Sequence, residues 1–99
     1  MKKESFSICE APRVIPQRGY LIGDFAISGK TNHWRITHIA TGFSCNAGMK
    51  TRKIALGLVQ KLAKIPGTNK GHLGEVHSVP RKTYKAMGLV IQNFREVKG

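Results

Sequence analysis

Tyr20 to Ala40 reads YLIGDFAISGKTNHWRITHIA, and its apolar residues return at every second position. From Tyr20 to Ser28, Leu21, Phe25 and Ile27 fall on one face while Tyr20, Asp24 and Ser28 fall on the other. A period of two belongs to a strand with one buried side. Gly29 and Asn32 supply a turn. From His33 to Ala40, Trp34, Ile36 and Ala40 form one face and His33, Arg35 and Thr37 the other. Thr41-Gly42 suits a tight reversal, because glycine accepts the positive φ that a hairpin requires, and Phe43 and Cys45 then open a third strand. Residues 20–48 are therefore expected to form a three-stranded antiparallel meander.

Beyond it the period changes. Met49, Ile54, Ala55, Leu58, Val59, Leu62 and Ile65 recur at steps of three and four, which predicts an amphipathic helix over 49–65. Thr51 is a candidate N-cap, and Pro66-Gly67 stops the helix. It should cover the apolar face of the meander, since a small sheet with one bare face is not stable alone. Residues 66–80 read as a loop with a short strand at 73–79. Tyr84, Met87, Val90, Ile91 and Phe94 then predict a second helix over 81–96, started by Pro80 and weakened by Gly88. Upstream, Pro12 and Pro16 make residues 1–19 an extended basic arm that docks through Ile8, Val14 and Ile15. The expected class is α+β, with residues 20–99 as one domain.

Charge is the second strong signal. The 99 residues hold 17 Lys and Arg against 5 Asp and Glu, a net +12. Such a field draws an anionic partner and excludes a nucleic-acid mimic. No apolar run is long enough for a membrane span, and the start of the chain lacks the apolar core of a secretory signal, so a cytoplasmic setting is expected. Cys9 and Cys45 lack CxxC spacing and read as free thiols, with no zinc or other metal and no cofactor.

The positive charge is uneven. Residues 49–65 carry Lys50, Arg52, Lys53, Lys61 and Lys64 with no acid. Three of these crowd a helix start, where the macrodipole is already positive, a placement that a bound phosphate would reverse. A solvated lysine face is the plain alternative, but a helix built only for stability would gain from Glu at i,i+4, and there is none. Lys70, Arg81, Lys82 and Lys85 form a second cluster at the next helix start; whether the two clusters share a side is open. On the polar face of the meander stand Lys30, Arg35 and Thr37; Arg35 is a candidate to read guanine in a bidentate manner, with an arginine on a solvated strand as the plain alternative.

Several chemical motifs fail on inspection. Gly29-Lys30-Thr31 ends like a P-loop, but Asp24 stands where its first glycine belongs and a strand follows. His33 and His38, like His72 and His77, are five apart, and odd spacing on a strand sends side chains to opposite faces. Glu75 and His77 could share a face without forming more than a surface contact. Five scattered acids do not make a two-metal nuclease, and no Ser or Cys has a visible base, so no enzyme is expected.

Three short strands followed by a packed helix, with Trp34 in the second strand, the Thr41-Gly42 turn and Lys50-Thr51-Arg52-Lys53 leading into Ile54-Ala55-Leu56, resemble the AP2-type and integrase amino-terminal DNA-binding folds. The likeness covers roughly residues 20–65. It implies a sheet face in the DNA major groove, with contact roles for Lys30, Arg35 and Thr37. The chain departs from that pattern in having few basic or aromatic residues there, which shifts contacts to the helix. His33 to Phe43 also resembles small proteins of phages and prophages. Together these imply a phage or mobile-element protein that binds nucleic acid, DNA before RNA, through phosphate contacts. The alternative is a phage inhibitor that docks its basic face on an acidic host protein or a defence protein–RNA complex; a ribosome-associated role ranks third. The sequence leaves oligomeric state open.

Overall fold

A computed structural model describes residues 3–10, 13–75 and 78–98, without the side chains of Glu10 and of residues 95–98. Expectations placed on Lys2, Pro12 and His77, and on the side chains of Glu10 and Glu96, lie outside the described residues. The chain is α+β, with strands β1 (Glu4–Glu10), β2 (Arg13–Ile22), β3 (Phe25–Lys30), β4 (His33–His38) and β5 (Ser44–Met49), then helices α1 (Arg52–Leu62) and α2 (Arg81–Lys98). The sheet is an antiparallel five-stranded meander in the order β1-β2-β3-β4-β5.

Five strands replace the expected three, for two reasons. Tyr20 to Ser28 is not one strand: Ile22 pairs with Phe25 across a Gly23-Asp24 turn, with Gly23 at φ 59°. Ile22, not Leu21, therefore shares a face with Phe25. The supposed arm is itself a hairpin, paired from Glu4 opposite Gly19 to Glu10 opposite Arg13. Pro16 is accepted there because that half of β2 has a neighbour on one side only, so its missing N–H breaks no second ladder.

β2 changes partner at Gly19. Residues 13–19 pair with β1 and residues 20–22 with β3, and a Cβ on Gly19 would overlap the carbonyl oxygen of Ile27. That close approach lets the β1–β2 hairpin turn across the sheet. Phe6 and Ile8 then pack on Ala26, with Ile15, Leu21 and Ile39 around them, while Val14 stays 51% exposed and does not dock. The Cys9 N–H donates to the Gly42 carbonyl at 2.7 Å, fastening the hairpin to the β4–β5 turn.

The opposite face carries the larger core. Phe25, Ile27, Ile36 and Met49 meet Ala55, Leu58, Val59 and Leu62 of α1 and Met87 and Phe94 of α2. With both faces covered, Ser28 and Thr37 are buried although their alternation reads as solvent-facing. Met49 belongs to β5, opposite Trp34, so α1 starts at Arg52 instead of residue 49. Thr51 caps it as expected, its hydroxyl accepting the Ile54 N–H at 3.1 Å. The short strand expected at 73–79 is, among the described residues, a single bridge from His72 to Glu75. No helix among the described residues is long and apolar enough to cross a membrane.

Candidate nucleic-acid interface

Antiparallel order gives the sheet two ends, and the basic residues divide between them. At one end the Thr31-Asn32 turn joins β3 to β4, with Asn32 at φ 69°. The Asn32 N–H donates to the Lys50 carbonyl at 2.8 Å, which pins this turn to the entry of α1. Lys30, Lys50, Arg52 and Lys53 are thereby gathered at this end, all exposed, with His33 beside them. The Arg52 guanidinium lies 5.0 Å from the centre of the Tyr20 ring, a cation–π contact that holds it toward β2. Arg35 pairs with Ser28 on the sheet face away from α1 and is half-buried. Thr37 is fully buried, so the exposed contact role that the AP2 and integrase resemblance implied for it does not hold.

Along α1 the exposed residues are Arg52, Lys53, Gln60 and Lys61, and its first turn holds no acid. Lys61 sets its amine 5.8 Å from the Phe94 ring centre, bridging α1 to α2, and Lys64 continues the basic side just beyond the helix. No ion pair joins a lysine or arginine to an acid among the described residues. Arg52 and Lys53 thus stand uncompensated at a positive helix end, an arrangement that costs about 0.3–1 kcal/mol for each charge.

The second cluster lies at the far end of α1. There the Thr83 hydroxyl donates to the Pro66 carbonyl at 2.8 Å, which holds the start of α2 against the loop that leaves α1. Lys64, Lys70, Arg81, Lys82 and Lys85 belong to this end, all exposed. α1, 11 residues at about 1.5 Å per residue, is roughly 16 Å long and separates the first cluster from the loop that holds α2. That exceeds the ~10 Å Debye length at 0.1 M salt, so each cluster acts as its own patch.

A buried polar chain fixes the far end. Thr68 donates its hydroxyl to the Asp24 carboxylate at 2.6 Å, and its carbonyl accepts the Nε2–H of His38. A carbonyl can only accept, so Nε2 carries the hydrogen and, in the neutral ring, Nδ1 accepts from the Thr41 hydroxyl at 2.9 Å. His38 is thus committed to joining β4, the β4–β5 turn and the loop after α1. Two features of the interface were missed from sequence. The Thr31-Asn32 linkage to Lys50 had one available signal, an asparagine in a tight turn. Tyr20 under Arg52 had none, since the partners are remote in the chain.

Beside this end opens a cavity of about 540 Å³, walled by Phe43, Cys45, Val79, Tyr84, Met87 and Ile91. Burial pushes the Cys45 thiol up from 9.0 to about 12, against a smaller opposing effect of a backbone hydrogen bond at His38. The folded state therefore holds this proton where the unfolded state has released it, so Cys45 contributes no pH dependence below pH 9. Stability falls as pH rises from about 9 to about 12. Urea titrations across that range should show the loss, and Cys45→Ser should reduce it; an unchanged slope would refute the assignment.

No protein-family model, curated protein or solved structure matches the chain.

Proposed function

We propose that this protein binds double-stranded DNA, chiefly through backbone phosphates, with Lys30, Lys50, Arg52 and Lys53 at the centre of the contact. The observation that carries the proposal is the gathering of four exposed cations at one end of the sheet, with no acid paired to any of them among the described residues. A phosphate placed there would meet lysine amines, a guanidinium and the positive end of α1 together. Lysine is a point charge that contacts phosphate without reading bases, whereas Arg52 is held over Tyr20 and Arg35 is half-buried. Affinity thus depends on backbone charge more than on sequence. Lys61 extends the surface along α1, and Lys64, Lys70, Arg81, Lys82 and Lys85 form a separate patch. A phage or mobile-element setting is supported by the resemblance of residues 33–43 alone.

Four neutralised phosphates give a log–log slope of affinity against salt of about −3 to −4. Fluorescence anisotropy with a 20-base-pair duplex should return that slope, and the combined variant Lys50→Ala, Arg52→Ala, Lys53→Ala should flatten it by about 2 to 3. The matching variant Arg81→Ala, Lys82→Ala, Lys85→Ala should alter it by less than about 1. Absence of duplex binding at low salt, or equal losses in the two variants, would count against the proposal.

A further inference from the structure

We infer that the groove between the outer edge of β5 and α2 receives an extended acidic segment of a partner protein, which adds as a further strand and inserts one large apolar side chain into the cavity. The inference is independent of the DNA-binding proposal and concerns different residues.

β5 ends the sheet, with β4 as its only strand neighbour among the described residues. The register irregularities of β5 lie on the side of β4, and Ala47 and Gly48 are exposed. Such an edge presents backbone N–H and C=O groups that a second extended chain satisfies. The cavity lies where β5 begins, between Phe43 and Cys45 on the sheet side and Tyr84, Met87 and Ile91 on α2. Its volume of about 540 Å³ falls within the roughly 300–1,000 Å³ of sites that enclose a ligand group. Gly88 keeps the α2 wall open: a Cβ there would meet nothing within 4 Å. Strand edge and pocket together are what strand addition uses, the main chain for affinity and the pocket for selection.

Charge identifies the occupant. Arg81 and Lys85 are exposed one turn apart on α2, flanking Tyr84. Among the described residues, no ion pair occupies either cation. An acidic segment complements them, whereas a second copy of this chain would bring another net +12 to the same edge. Nucleic acid fits poorly: its phosphates only accept hydrogen bonds, so β5 carbonyls would stay unmet, and the cavity walls are largely apolar.

The test uses a fluorescein-labelled nine-residue peptide of alternating aspartate and valine with a central phenylalanine, measured by anisotropy against the full chain. Binding is expected. Replacing the central phenylalanine by glycine, or N-methylating alternate backbone nitrogens, should each weaken it by at least about tenfold. Gly88→Leu, which fills the cavity, should weaken it equally while duplex DNA affinity stays unchanged; far-UV circular dichroism confirms that this variant is folded. The triple alanine variant at Lys50, Arg52 and Lys53 should lose DNA and keep peptide within about threefold, which separates failure of the two proposals. No binding of the parent peptide, equal binding of the N-methylated one, or equal binding by folded Gly88→Leu overturns the inference. So does a Gly88→Leu loss shared by DNA, which would assign the groove to nucleic acid. The N-methylated peptide tests the inference on the unaltered protein, even if Gly88→Leu does not fold.

Discussion

His38→Phe is expected to lower stability by about 2 to 5 kcal/mol, although it preserves an aromatic ring of similar size. His38 is 2% exposed and lies beside Phe25, ring centres 5.5 Å apart, so a phenyl group finds an apolar neighbour ready for it. What it lacks is both hydrogen bonds. The Thr68 carbonyl loses the Nε2–H and the Thr41 hydroxyl loses Nδ1, each in a buried residue where an unmet polar group costs about 1–3 kcal/mol. Thr68 also holds Asp24, so the loosened loop draws on the β2–β3 turn as well. Urea unfolding should show the midpoint fall with little change in slope, and heating should lower Tm by roughly 10–30 °C. Thr41→Val, which keeps the shape but leaves His38 Nδ1 unmet, should cost about 1–3 kcal/mol. A His38→Phe protein as stable as the parent would mean that the buried chain of hydrogen bonds contributes nothing net.

How far the sequence reaches can be judged at particular residues. α1 was legible because its signals agree: Ala55, Leu58, Val59 and Leu62 recur at helical steps, Thr51 caps the start and Pro66 follows the end. The Gly23-Asp24 hairpin was hidden by parity. Leu21 and Phe25 are four apart, so alternation runs unbroken through a two-residue turn and imitates one long strand. Yet Leu21 packs in the smaller core and Phe25 in the larger. The faces of β3 and β4 were misread for a related reason. Ser28 and Thr37 are polar and alternate with apolar residues, but the β1–β2 hairpin covers them, and Thr37 Oγ1 is buried with no hydrogen-bond partner among the described residues. Local pattern records which face is apolar, not what later packs on the other.

The basic residues followed the same division. Their identity and number were legible, because charge needs no geometry. Their grouping was not, because Asn32, two residues after Lys30, donates its backbone N–H to the Lys50 carbonyl and so joins segments that composition treats separately. Two helix starts that look equivalent in sequence differ in surroundings: one adjoins the β3–β4 turn, and the other the loop after α1.

Gly29→Ala, which adds no charge and removes none, is expected to impair both the fold and DNA binding. Gly29 sits at φ 130°, where a residue with a Cβ is strained by about 1–3 kcal/mol. The new methyl would also overlap the His33 carbonyl oxygen and lie 3.0 Å from the Trp34 Cα, both backbone atoms of the facing strand that no rotamer change can move. Overpacking of this kind costs about a further 1–3 kcal/mol, for a total loss of roughly 2–6 kcal/mol. Relief requires β3 and β4 to separate at the Thr31-Asn32 turn. That turn carries Lys30 and donates the hydrogen bond that holds the Lys50 carbonyl, so the four cations would lose their common placement. Duplex affinity should then fall by about tenfold at a temperature where circular dichroism still reports a folded protein, with the salt slope flattened by about 1. Gly23→Ala is the control: it too has a positive φ, but its Cβ would meet nothing within 4 Å, and it lies at the opposite end of β3. It should cost about 1 kcal/mol and leave DNA affinity intact. Equal effects of the two substitutions on binding would show that the β3–β4 turn does not position the cations.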